Sequence, residues 1–167
     1  KAAAELGLKL IVGADLHVLD PLDEERHQEL CLLAQNETGY RNLMLLLSRS
    51  YQQGQYLGRP RVKQAWVKEY AEGVIALSGG RQGDIGQALL NGREADARAA
   101  LMQWQRCFPD RFYLELQRTG RAGEEDYLHA AVALATECSC PVVATNDVRF
   151  LEADEFEAHE ARVCIGD

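Results

Sequence analysis

The stretch Gly73-Val-Ile-Ala-Leu-Ser-Gly-Gly-Arg-Gln-Gly-Asp84 decides how this chain is read. Val74–Leu77 is a short apolar run bounded by glycine, the length of a buried strand and too short for a helix. Ser78–Asp84 is a glycine-rich loop, and Ile85–Leu90 behind it has the composition of a helix. Strand, loop and helix in that order make one β-α unit.

Working outward, the same alternation recurs. Downstream, Glu94–Cys107 reads as a helix separated from Ile85–Leu90 by Asn91-Gly92 and stopped by Pro109. Phe112–Leu116 alternates as a strand. Glu124–Cys138 is an amphipathic helix with Leu128, Val132, Leu134 and Ala135 inward, and Pro141–Thr145 is a strand ending at Asn146-Asp147. Asp154–Cys164 closes the chain as a helix capped by its aspartate. Upstream, Leu8–Val12 reads as a buried strand, extended through Gly13-Ala14-Asp15 and Leu16–Leu19 to the turn at Asp20-Pro21, and Leu30–Ala34 as another. Asn36 or Thr38 caps a helix carrying Leu43, Leu46 and Leu47 that Gly54 stops. Gln55–Arg61 is a loop, and Val62–Tyr70 a short helix with Ala65 and Trp66 on its inner face. With no Asn-Gly hairpin signal between strands, the pattern predicts an α/β fold with a parallel sheet. The opening Lys1-Ala-Ala-Ala-Glu-Leu6, ended by Gly7, reads as the last turns of a helix, so the expectation is a fragment whose amino-terminal elements are missing.

Composition narrows the function. The 167 residues amount to one domain, 47% hydrophobic and 26% charged, with no disordered or fibrous bias. Eighteen Lys and Arg against 26 Asp and Glu leave a net charge of −8, which disfavours an unaided, sequence-independent nucleic-acid binder. The longest apolar run, Leu43–Leu47, falls far short of the ~20 residues that cross a bilayer, and Lys1–Leu10 lacks a secretory pattern, so a soluble, cytoplasmic protein is expected. Five cysteines (Cys31, Cys107, Cys138, Cys140 and Cys164) are odd in number and lack zinc spacing, which predicts free thiols.

In such folds chemistry collects where strands end, so Asp15, Ser78–Asp84, Glu115 to Arg121 and Asn146–Phe150 are the segments to weigh. Ser78–Asp84 lacks the lysine and Ser/Thr of a P-loop and reads as a plain strand-to-helix turn. In Asn146-Asp147-Val148-Arg149, the third position of a would-be Asp-x-His metal pair is a guanidinium, which stays protonated and cannot ligate. His27 and His129 read as surface residues and His159 as a helix-surface or structural residue rather than a ligand; with His17 they complete no catalytic set by spacing.

Five segments taken together resemble one family: Leu10-Ile-Val-Gly-Ala-Asp15; Leu32-Leu-Ala-Gln-Asn36 with Gly39-Tyr-Arg-Asn-Leu43; Gly73-Val-Ile-Ala-Leu-Ser-Gly-Gly80; Phe108-Pro-Asp-Arg-Phe-Tyr-Leu-Glu-Leu116; and Pro141-Val-Val-Ala-Thr-Asn-Asp147. In this order they resemble the PHP (polymerase and histidinol phosphatase) domain of the α subunit of bacterial, chiefly proteobacterial, replicative DNA polymerase III. The resemblance implies a distorted (β/α)7 TIM-like barrel, with residues 1–167 its carboxy-terminal majority, a single domain lacking the first β-α units. Those units carry a His-x-His motif and an Asp-His pair for metals in the family.

Metal-binding members have glutamate where this chain has Asp15, histidine at Glu29, cysteine or histidine at Gly80, and Asp-x-His at Asp147-x-Arg149. Only Asp147 is retained outright. The resemblance therefore implies a degenerate metal site with no catalytic residue and no cofactor in this segment, Arg149 substituting for the metal by pairing with Asp147, and with Asp15 or Glu29 as further partners. It implies a parent DNA-directed DNA polymerase with Mg2+ and DNA held by other domains, and for this segment a stabilising role and docking of the ε proofreading exonuclease. The competing expectation is a metal-dependent phosphoesterase or 3′–5′ exonuclease acting in this domain itself.

Overall fold

The computed structural model describes residues 2–20 and 23–166. A short helix, α1 (Ala2–Glu5), precedes the hairpin of β1 (Gly13–Asp20) and β2 (Asp23–Ala34). Helix α2 (Glu37–Gln53), the ribbon β3 (Gln55–Tyr56) and β4 (Arg59–Pro60), and α3 (Gln64–Glu69) lead to β5 (Val74–Leu77). Then come α4 (Asp84–Leu90), α5 (Glu94–Cys107), β6 (Phe112–Gln117), α6 (Glu124–Glu137), β7 (Val142–Thr145) and α7 (Phe156–Gly166).

The sheet has the order β1-β2-β5-β6-β7 and is mixed. The β5–β6 and β6–β7 pairs are parallel, as the β-α pattern predicts, but β1–β2 and β2–β5 are antiparallel. This corrects the expected all-parallel sheet. Asp20 and Asp23 are register partners only three positions apart, a span that permits an antiparallel return and no helical crossover. The turn residues expected at Asp20-Pro21 include Pro21, which lies outside the described residues.

The apolar run at 8–12 is not a strand: Leu8, Leu10 and Ile11 are more than 60% exposed. The strand is the alternating segment behind it, where Leu16 and Val18 enter the core and Asp15 and His17 face the other way. Its partner extends back from Leu30–Ala34 to Asp23, pairing His27 with Leu19 and Glu29 with His17.

Several inward faces also shift. In α3 Val67, fully buried, accompanies Trp66 while Ala65 is exposed; in α6 Tyr127 and Ala131 are buried whereas Val132 is exposed and Leu128 only partly covered. The last helix is entered through Glu152, whose side chain forms a reciprocal capping box with Glu155, rather than through Asp154. Asn36 caps α2 by accepting from Gly39 N at 3.0 Å. The five cysteines are all free thiols.

The core fills the space between the sheet and α2–α6. Trp104 is its largest fully buried side chain, stacked 6.3 Å from Phe112 and donating Nε1–H to Asp84 Oδ2 at 2.7 Å. That bond ties α5 to the start of α4 and gives the indole N–H its partner. Arg111 Nη1 similarly donates to the carbonyls of Ala71 and Val74, at 2.8 and 2.6 Å, closing the bottom of β5.

Helix α2 lands against the turn before β5. A Cβ on Gly39 would lie 1.7 Å from the Gly73 carbonyl oxygen, so only glycine permits this approach. Exposed helical Gly→Ala changes ordinarily stabilise by about 1 kcal/mol. Gly39→Ala is expected to reverse that sign and cost about 2 kcal/mol or more, read as a lowered urea midpoint.

Candidate functional site

The carboxyl ends of β5, β6 and β7 and the outward face of the β1–β2 hairpin enclose a cleft of about 640 Å3. β1 and β2 supply Asp15, Glu29 and Cys31, which the pleat places on the face opposite Leu16 and Leu30. The loop after β5 supplies Arg81, β6 supplies Glu115 and Gln117, and the segments before α6 and after β7 supply Arg121, Asp147 and Arg149. The strand-end segments singled out in the sequence therefore converge.

At the floor is Glu115, 7% exposed. Its carboxylate accepts from the Thr145 hydroxyl at 2.5 Å and from Gln117 Nε2 at 3.3 Å, joining β6 to β7. Its backbone N–H donates to Ser78 Oγ at 2.9 Å and its carbonyl accepts from Tyr127 Oη at 2.7 Å. One residue thus fixes the ends of three strands and the start of α6.

Asp147 lies on the rim with its side chain 18% exposed. Arg149 Nε donates to its Oδ1 at 2.7 Å and Arg121 Nη2 to its Oδ2 at 2.9 Å. Burial raises this carboxyl's pKa, but the hydrogen bonds and charges of Arg149 and Arg121 outweigh it and hold the group below its ordinary value. The loop bearing Arg121 is itself tied down. Glu124, 3% exposed, accepts from the Thr119 hydroxyl at 2.6 Å and from the backbone N–H groups of Thr119, Gly120 and Arg121. Led by the Thr119 hydroxyl, these bonds lower its pKa to about 2.

On the hairpin side the carboxylates are less well met. Burial, then the charge of Asp15, raises the pKa of Glu29, with His27 and Arg149 pulling the other way. Burial and the neighbouring Asp15 push the Cys31 thiol well up, so it is no thiolate nucleophile. Gly80 is buried beside the cleft with φ +55°; a Cβ there would meet nothing nearer than 3.9 Å, its neighbours being Glu115 and Gln117. Arg81 has its Nε buried without a hydrogen-bond partner. Among the described residues, no three His, Cys, Asp or Glu side chains are grouped to hold a metal ion.

Of the candidate positions, Asp15, Glu29, Asp147 and Arg149 line one cleft and Gly80 borders it. His129 is exposed, and His159 packs 5.7 Å from Phe150, away from the cleft. The expected pairing of Arg149 with Asp147 is present. Sequence reasoning missed Arg121 as a second cation and Glu124 as its anchor. The available signal was a glutamate opening a helix just behind the Gly120 and Gly123 turns.

The PHP domain model matches residues 1–119, 119 of the 167 positions. The chain belongs to the PHP domain family. This PHP chain is 52% identical over 167 residues to the DNA polymerase III subunit alpha of Pseudomonas aeruginosa, covering all of this chain and 14% of that protein. It is 51% identical over 161 residues to the subunit of the same name from Haemophilus influenzae and 50% identical over 161 residues to that of Escherichia coli K12; each match covers 96% of this chain and 14% of the relative. The chain thus spans 14% of the length of these relatives. No helix among the described residues is long and apolar enough to cross a membrane.

The Asp147–Arg149 pair is partly exposed, so a double-mutant cycle of Asp147→Asn and Arg149→Gln by urea unfolding at pH 6 is expected to give about 1 kcal/mol of coupling or less. Because folding lowers the pKa of Asp147, that coupling is complete above the ordinary aspartate range. It is expected to shrink as pH falls below about 4, through the folded-state pKa.

Proposed function

We propose that this chain is the PHP segment of the α subunit of a bacterial replicative DNA polymerase III, and that its cleft is a charge-paired scaffold rather than a metallophosphoesterase centre. The observation that carries the second part is Asp147: both carboxylate oxygens, the donors a cation would need, accept from guanidinium groups. Arg149 occupies the third position of the Asp-x-His pattern and supplies fixed positive charge in place of an ion. Gly80 offers no donor atom, and Glu115 is committed to Thr145 and Gln117. The donor set does not fit a di- or trinuclear metal site, which requires converging carboxylates and neutral imidazoles with open positions.

On this reading the sheet is part of a distorted (β/α)7 barrel whose first units lie upstream of Lys1. The segment serves the polymerase as a stable platform and as the docking partner of the ε proofreading subunit. DNA and the catalytic Mg2+ belong to other domains of the parent enzyme, in the cytoplasm. A net charge of −8 agrees with that division, since a surface gripping phosphates would carry the opposite sign.

Titration of the full-length protein with Mn2+ or Zn2+ is expected to show no stoichiometric micromolar binding attributable to this domain, and an Arg121→Gln/Arg149→His variant to bind more tightly than the wild type. Nuclease activity in the assembled polymerase is expected to disappear when a catalytically dead ε is used. Micromolar binding that Asp147→Asn abolishes, or nuclease activity that survives with dead ε, would establish the PHP domain as the enzyme instead.

A further inference from the structure

The Asn91-Gly92 pair that separates α4 from α5 lies outside the cleft and outside the role proposed for it. Of Asn36, Asn42, Asn91 and Asn146, the asparagines of the chain, only Asn91 is followed by glycine. That neighbour matters chemically. The backbone nitrogen after an asparagine is placed to attack the side-chain amide carbon, and glycine, with no Cβ to crowd the approach and the widest backbone freedom, hinders that attack least. Both residues are exposed, and a Cβ built on Gly92 would meet nothing within 4 Å, so water reaches the junction freely.

The fold holds these same atoms in a helix cap. Gly92, at φ +68°, ends α4 in the left-handed conformation; its N–H donates to Leu89 O at 3.0 Å, and the Arg93 N–H donates to Ala88 O at 2.8 Å. This pair of bonds is the closure of a Schellman cap. The Asn91 side chain adds a third, Nδ2–H to Gln87 O at 2.7 Å. Asn91 itself sits at ψ 12°, which nearly eclipses the Gly92 nitrogen with the Asn91 nitrogen and turns it away from the Cβ that carries the amide. Nucleophile and leaving group are thus both hydrogen-bonded, in a geometry that keeps them apart. Attack requires the cap to open, a local event at the exposed end of a helix of 7 residues.

We propose that Asn91 is a deamidation site gated by the α4 cap, and that conversion there loosens the α4–α5 junction irreversibly. When the cap opens, the Gly92 nitrogen loses its proton to base and bonds to Asn91 Cγ; the Cγ–Nδ2 bond breaks and ammonia leaves, giving a succinimide. Water then opens the ring at Cγ to give aspartate, or at the backbone carbonyl carbon of residue 91 to give isoaspartate, and nothing is oxidised or reduced. Either product lacks the Nδ2 donor and sets a carboxylate at the negative end of the α4 dipole, beside Gln87 O. Isoaspartate also lengthens the main chain at the turn. The site is independent of how the cleft is read.

Peptide mapping by mass spectrometry of the full-length protein, aged in buffer and in parallel in urea, reads the conversion directly. Asn91 is expected to convert in the folded protein ahead of Asn36, Asn42 and Asn146, to both aspartate and isoaspartate, and faster as pH rises because the attacking nitrogen must lose its proton. In urea, where the cap is gone, its rate is expected to be about tenfold higher or more. Asn91→Asp, which reproduces one product, is expected to speed hydrogen exchange of the Gly92 and Arg93 amides about tenfold. An Asn91 that stays intact in the folded protein, equal rates in buffer and urea, or unchanged exchange in Asn91→Asp would overturn the proposal.

Discussion

Glu115 is the point through which the strand ends are held together. Its carboxylate crosses to Thr145, its N–H reaches Ser78 and its carbonyl receives the Tyr127 hydroxyl, so β5, β6, β7 and α6 share one buried polar node. A buried carboxylate is tolerated only when its oxygens are met, and here neighbouring strands meet them. The cleft exists because this node brings the loops after β5 and β7 over the same floor that the β1–β2 hairpin borders.

Above that floor, charge is balanced in stages. Glu124 gathers the backbone N–H groups of residues 119–121 and so fixes the loop that delivers Arg121. Arg121 and Arg149 then close on Asp147. Among the described residues the hairpin side has no comparable clamp, and burial, then the charge of Asp15, raises the pKa of Glu29. The two halves of the cleft therefore differ: Asp147 is hydrogen-bonded by two guanidinium groups, whereas Asp15 and Glu29 face each other as like charges. In the reading proposed above, the lock supplies fixed positive charge in place of an ion.

Much of this was legible in the sequence. The Val74–Leu77 strand, its glycine-rich loop, the helices to Cys107 and the Asp147–Arg149 pair follow from apolar run length, glycine and the identity of one side chain. What was not legible depended on partners distant in the chain. The run at 8–12 is apolar enough for a strand, yet its hydrogen bonding to β2 begins at Val12, whose carbonyl accepts from Ala34, and the polar-looking 23–29 segment joins the ladder because it lies opposite β1. Neither hydropathy nor a turn motif reveals that register. Arg121 falls in the strand-end segment Glu115 to Arg121, but its role depends on Asp147, distant in the chain, lying 2.9 Å away.

The most direct measurement of the central claim is anomalous diffraction from crystals of the protein grown or soaked with Mn2+. The account predicts no anomalous peak among Asp15, Glu29 and Asp147, with Arg149 and Arg121 still seated on the two oxygens of Asp147. A peak coordinated by Asp147 and a hairpin carboxylate, with Arg149 swung away, would contradict it.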